Sequence, residues 1–123
     1  MNDIEQKRGD RRERYLRDPL PLRLGNLASN LSRIKSLSNH PTMGEAAGRV
    51  VDESIFFIEW TTADASLRQQ AALAELRSML MNWRLEWTEI WNDAEKRTSL
   101  AEQAGAWSEK ILDCSGLLNP QNM

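Results

Sequence analysis

The chain has 123 residues, 16 of them basic and 18 acidic, with a single cysteine, a single histidine and 41% hydrophobic side chains. That length fits one domain, and a net charge of −2 provides no field strong enough to single out nucleic acid or an anionic membrane as partner. Cys114 has no second cysteine to pair with, which excludes an internal disulfide scaffold and points to a reducing, cytoplasmic setting. The N-terminal MNDIEQKRGDRRER has no apolar export segment, and the longest strongly apolar run, Ile55 to Ile58, is far short of the roughly 20 residues of a membrane span.

Residues 1 to 18 combine six basic and five acidic side chains with almost nothing to bury, the composition of a solvated, flexible arm or a frayed helix. Its Arg8-Gly9-Asp10 tripeptide matches an extracellular adhesion signal, but a three-residue match has a high chance rate and the chain reads as intracellular. Pro19 and Pro21 favour an extended segment and forbid an uninterrupted helix through Asp18 to Leu22. The folded body is expected over 19–118, followed by a short tail, 119–123.

From Leu22 to Asn39, Leu24, Leu27, Ala28, Leu31 and Ile34 follow the three-four spacing of one helical face, with Asn26, Asn30 and Arg33 opposite. Asn39-His40-Pro41 ends that helix, and Thr42 with Glu45 reads as a capping box opening a second one to about Thr61. Its inner side carries Ala47, Val50, Val51, Ser54, Phe57 and Ile58. Gly44 and Gly48 either admit a close neighbour or sit in a frayed first turn. A third helix, capped by Thr62 or Asp64, has the strongest stripe in the chain: Leu73, Leu76, Leu80, Trp83, Trp87 and Ile90. Leu67, Ala74, Met81 and Leu85 form a second stripe, so this helix is either central in the fold or shared with another chain. A break is expected between Asn92 and Thr98, with Ser99 and Glu102 as the next capping box. The fourth helix then aligns Leu100, Ala104, Trp107, Ile111 and Cys114, and Gly116 caps it with Leu117 folding back. Four amphipathic helices, short connections and no alternating pattern predict an all-α, antiparallel four-helix bundle-like single domain with a charged N-terminal arm.

The residues for metal or nucleophilic chemistry are scarce. A di-iron bundle site needs paired Glu-x-x-His motifs and a structural zinc site needs more Cys and His than Cys114 and His40 supply, so no metal or cofactor is expected. His40 reads as a turn residue. Cys114, on an apolar stripe, reads as a small hydrophobe rather than a nucleophile. Glu86, Glu89 and Asp93 form a solvated face, Glu86 and Glu89 being about 60° apart on a helix. No phosphate loop or nucleophile elbow is present, and the chain is expected not to be an enzyme. Trp83, Trp87 and Trp91 line one side of the third helix, where Trp107 can meet them; core packing explains them better than a flavin or porphyrin pocket.

Phe56 and Trp60 differ. Both point away from the inner stripe of their helix, onto the side that holds Arg49, Asp52, Glu53 and Glu59. Two large rings on a polar face mark a partner surface made of Phe56, Trp60, Glu53 and Arg49, unless the arm folds back through Tyr15 and Leu16 to cover them. The expected function is therefore a non-enzymatic protein–protein interaction module, an adaptor or assembly chaperone that holds a helix or peptide of a partner protein or pairs with a second copy of itself. The alternative is a nucleic-acid-associated regulator using Lys7, Arg8, Arg11, Arg12, Arg14 and Arg17. The five interleaved acidic residues weaken that alternative by leaving the arm one net positive charge.

The stretches Pro21-Leu22-Arg23-Leu24-Gly25-Asn26-Leu27, Phe56-Phe57-Ile58-Glu59-Trp60-Thr61 and Trp107-Ser108-Glu109-Lys110-Ile111-Leu112 resemble, in texture, small all-helical accessory proteins of cyanobacteria whose roles are mostly unassigned. The resemblance spans about residues 19 to 118. It implies a small accessory factor, since some such proteins assist assembly of carboxysomes or photosynthetic complexes, and it transfers no functional residue.

Overall fold

A computed structural model describes residues 3–117, so the expected tail at 119–123 lies outside the described residues. Those residues form α1 (Asp3–Arg17), α2 (Leu20–Leu37), α3 (Gly44–Thr61), α4 (Leu67–Leu85), α5 (Trp87–Trp91) and α6 (Ala94–Ser115). Single 3₁₀ turns at Pro41–Met43 and Thr62–Asp64 lead into and out of α3, and no strand occurs among the described residues. No helix of this set is long and apolar enough to cross a membrane.

The apolar face of α2 decides the packing. Leu24, Leu27, Leu31 and Ile34 are fully buried, and α2 lies along both α6 and α3, while α4 packs on α3 and α5 on α6. Leu73, Leu76 and Leu80 of α4 and Leu100, Ala104 and Ile111 of α6 complete one core. Polar ties fix the helix ends: Arg97 donates to the Ser38 and Trp91 carbonyls, and Ser108 to the Ala28 carbonyl. Gln69 accepts from the Ser66 N–H and donates to the Cys114 carbonyl. Every buried side-chain nitrogen and oxygen among the described residues has a hydrogen-bond partner, as a stable interior requires.

Several boundaries depart from the sequence pattern. Pro21 does not hold the chain extended; it sits in the first turn of α2 behind Pro19 as N-cap, where its missing N–H has no helical acceptor to lose. No capping box forms at Thr42 and Glu45, because the Pro41–Met43 turn makes Met43 the N-cap. Neither Thr62 nor Asp64 caps the third helix; Ser66 does, in a reciprocal capping box with Gln69. Asp93 caps α6 through the Glu95 and Lys96 N–H groups, so Ser99 and Glu102 fall inside the helix. Gly116 adopts the left-handed conformation expected of it, with φ 91°, and a Cβ on Gly25 would meet Leu117 Cδ1 at 2.6 Å, which places Leu117 back against α2.

The expected third helix is two. Its backbone bends at Glu86, φ −110° and ψ 20°, and the indoles beyond the bend turn to the start of α3: Trp87 donates to the Gly44 carbonyl and Trp91 to the Pro41 carbonyl, at 3.0 and 2.7 Å. Gly44 and Gly48 are the close-approach positions, since a Cβ on Gly44 would lie 2.8 Å from the Trp91 ring and one on Gly48 2.6 Å from the Arg84 guanidinium. Asn30, read as outward, is buried and donates to Glu53. Trp83 and Trp91 are buried, whereas Trp87 and Trp107 are half-buried, and Trp107 is faced by Lys110 at 4.4 Å rather than by the other indoles. The second stripe of the expected third helix is solvent-exposed, Leu67 and Leu85 each at 85%, so α4 is not central.

Candidate functional site

The charged N-terminal segment forms α1, which lies on α3. Its sequence dictates how little of it can be anchored: Tyr15 is buried, Leu16 half-buried, and residues 3 to 14 are all exposed. The Tyr15 ring stacks on Phe57 at 4.1 Å with 15° between planes and meets Trp60 at 5.8 Å. Its hydroxyl donates to the Arg23 carbonyl at 3.0 Å; with that proton committed, Thr61 Oγ1, 2.9 Å away, is the donor in the second bond. Burial pushes the phenol up to about 12, against the opposing pull of the Thr61 hydrogen bond.

One turn apart on α3, Phe56 and Trp60 stack at 5.6 Å and 19°, as the i, i+4 spacing allows. Both are half-buried. The Arg8 guanidinium stands over Phe56 at 4.8 Å, a cation–π contact. The four rings thus form a continuous ladder from the enclosed Tyr15–Phe57 pair outward to Trp60 and Phe56. Folding of the arm onto these rings, the alternative weighed from the sequence, is present through Tyr15.

Of the four residues expected to form a partner surface, the structure brings Phe56 and Trp60 together. Glu53 faces α1 and α2, where it accepts from Asn30 Nδ2 at 3.1 Å and pairs with Arg11 at 3.5 Å. Arg49 is exposed and lines a separate hollow of about 470 Å³ with Gly44, Arg84, Trp87 and Trp91. Two of the six arm cations, Arg8 and Arg11, are directed at the body. All six nevertheless remain exposed.

The remaining candidate groups are accounted for by local structure. His40 precedes the Pro41–Met43 turn and is exposed. Cys114 is half-buried, its thiol raised by that burial and donating to the Ile111 carbonyl. Glu89 pairs with Lys96, whose pKa that hydrogen bond raises, and Asp93 caps α6. No cluster of three or more His, Cys, Asp or Glu among the described residues could hold a metal ion.

No family model matches the chain, and no match was found among curated proteins or solved structures.

A further hollow, of about 820 Å³, is a groove between α4 and α6 lined by Ala71, Ala72 and Ala106 together with Arg68, Glu75, Glu109 and Lys110. Sequence reasoning missed it. Its signal is the small residues Ala71, Ala72 and Ala106, which thin two facing helices without marking themselves as a site.

Proposed function

We propose that the chain is a non-enzymatic protein–protein interaction module, an adaptor or assembly factor of the cytoplasm. Its body is an antiparallel four-helix bundle-like unit of α2, α3, α4 and α6, and α1 is its charged arm. The partner is a helix or extended peptide of another protein that docks on Phe56 and Trp60. The observation that carries this reading is the stacked Phe56–Trp60 pair, half-exposed on an otherwise polar face, with the outer ring, Phe56, under the Arg8 guanidinium. Aromatic rings in that position anchor helix-in-groove and related peptide recognition. A partner residue takes the place of Arg8 over Phe56 and extends the ring ladder that Tyr15 begins.

Affinity capture from the native cell, repeated with the Phe56→Ser/Trp60→Ser double variant, tests the reading. The expected result is a partner retained by the parent and lost by the variant at nearly unchanged helicity, since anchors of this kind lose at least about 2 kcal/mol each, or about 25-fold in affinity. Unchanged capture by the double variant refutes it.

A further inference from the structure

We infer, resting on the proposed function, that the partner's docking segment is a basic helix with two arginines one turn apart, and that the front of α1 holds the same site as an internal competitor. Two contacts made by α1 ahead of its tyrosine anchor carry the inference. The Arg8 guanidinium stands 4.8 Å over the Phe56 ring. Arg11, three residues on, pairs with Glu53 at 3.5 Å, and Glu53 lies three residues before Phe56 on α3. Two cations one turn apart on one helix thus meet a ring and a carboxylate one turn apart on the other. The arm shows within the chain which chemistry this face accepts.

The charges around the ring pair narrow where a partner's cations are wanted. Asp52 and Glu59, on the same side of α3, are already matched from α4 by Arg84 at 2.8 Å and Arg77 at 3.0 Å. Arg49, the like charge on this side, lies seven residues before Phe56, about 10 Å along the helix, in the hollow beside Trp87 and Trp91. Glu53 differs from the other two acids, because its cation comes from the arm. Its Oε1 accepts from Asn30, and its Oε2 faces Arg11. Lifting the front of α1 therefore uncovers the Phe56 ring face and takes the guanidinium away from Oε2 of a half-buried carboxylate. Arginine suits both positions better than lysine, since its planar, weakly hydrated guanidinium stacks on rings and forks onto carboxylates.

The front of α1 is built to be displaced. Residues 3–14 are all exposed, Ile4 at 70% among them, so no apolar burial holds them down. Gly9 falls between the two arginines, and a Cβ there would meet nothing within 4 Å; the glycine serves no close approach and weakens the helix where it has to yield. Tyr15, buried against Phe57 and bonded to Thr61, keeps the rear turn in place while the front lifts. Two contacts between exposed groups shift such an equilibrium only a few-fold. With the arm closed for roughly four-fifths of the time, the apparent affinity for a partner falls about 5-fold.

Fluorescence anisotropy on the full chain tests this, with a labelled alanine-based helical peptide of about 16 residues that carries two arginines at i, i+3, and with its double-glutamine counterpart. The arginine peptide should bind the parent at least about 10-fold more tightly than the glutamine peptide. R8Q/R11Q should bind the arginine peptide about 5-fold more tightly than the parent does, at unchanged helicity because both side chains are exposed. R12Q/R17Q, which removes the same charge from α1, should bind like the parent. Adding E53Q to R8Q/R11Q should weaken binding of the arginine peptide and leave the glutamine peptide unaffected. Equal affinity for the two peptides, no gain in R8Q/R11Q, or an equal gain in R12Q/R17Q would each overturn the inference. Cellular capture separates it from the reading beneath it: a partner lost by Phe56→Ser/Trp60→Ser but captured equally by the parent and R8Q/R11Q upholds the proposed function and overturns this inference.

Discussion

The Tyr15 ring lies on Phe57 with 4.1 Å between centroids, and this stack joins the N-terminal helix to the body. Both residues are buried, Tyr15 at 5% and Phe57 at 9% exposure, so the phenol is removed from water together with the ring it covers. Because burial raises its folded pKa to about 12 from the ordinary tyrosine value of 10.0, the folded state keeps its proton over a range in which the unfolded chain has lost it. The stability due to Tyr15 is complete below pH 10 and declines as pH rises through 12, by up to about 2 to 3 kcal/mol. Melting curves of the parent and Tyr15→Phe, which lacks the titrating group, should converge in slope below pH 10 and diverge above it, the parent falling faster.

Gly44 and Gly48 both face side chains from beyond the α4–α5 bend, yet substitution should affect them unequally. A Cβ at Gly44 meets the Trp91 ring at 2.8 Å, and that ring is buried and held by its bond to the Pro41 carbonyl. Gly44→Ala should cost about 1 to 3 kcal/mol as an overpacked contact. At Gly48 the nearest atom is the far end of Arg84, half-exposed and free to swing away from Asp52. Loss of that bidentate pair offsets the helix-propensity gain of alanine, about 1 kcal/mol, and Gly48→Ala should melt within a degree or two of the parent.

These tryptophan contacts also explain where the sequence pattern misleads. The stripe Leu73, Leu76, Leu80, Trp83, Trp87, Ile90 keeps helical period straight through Glu86, and neither glycine nor proline marks the bend. What bends the chain is the pull of two indole N–H groups toward carbonyls some 43 and 50 residues away in sequence, a tertiary effect that periodicity does not encode. The core faces of α2, α3 and α6 were readable because each is a single apolar stripe against a polar remainder. The docking of α1 was legible only as one of two alternatives, through Tyr15 and Leu16, since one tyrosine among many charges supplies its buried anchor. Asn30 was misplaced for a similar reason: a buried amide needs a partner, and Glu53 on another helix provides it. For the aromatic strip, the angular position of Phe56 and Trp60 was legible, but the roof formed by Arg8 depends on how α1 lies.

Helix-start signals are a second case, and they can be separated experimentally. Ser66 and Ser99 each begin an S-x-x-E/Q pattern, but only Ser66 stands where the backbone is extended, φ −67° and ψ 164°, and accepts from the Gln69 N–H. Ser66→Ala should lower stability by about 1 kcal/mol. Ser99 lies within α6, exposed, and its side chain accepts from Gln103, so Ser99→Ala should be neutral or slightly stabilising through helix propensity. Urea denaturation midpoints at equal m-value provide the comparison.

Deletion of residues 1–17 addresses how α1 is held. Besides Tyr15 and Leu16, α1 meets the body through the Arg8 cation–π contact and the Arg11–Glu53 pair, both made by exposed arginines. Such contacts contribute about 0 to 1 kcal/mol each, whereas truncating a buried aromatic costs about 3 to 5 kcal/mol. Tyr15→Ala alone should therefore reproduce most of the stability lost on deletion. On the facing surface, Phe57→Ala should cost about 3 to 5 kcal/mol, while Phe56→Ala, removing a ring that is only half-buried, should cost about 1 kcal/mol in proportion to the smaller area it covers. Hydrogen exchange adds a positional check, because loss of Tyr15 should deprotect the C-terminal turns of α3 around Phe57 to Thr61 and leave the α2–α6 core protected. A deletion that costs several kcal/mol more than Tyr15→Ala would mean that the charged face of α1 carries the docking, and the aromatic ladder would then lose its place as the anchor of that helix.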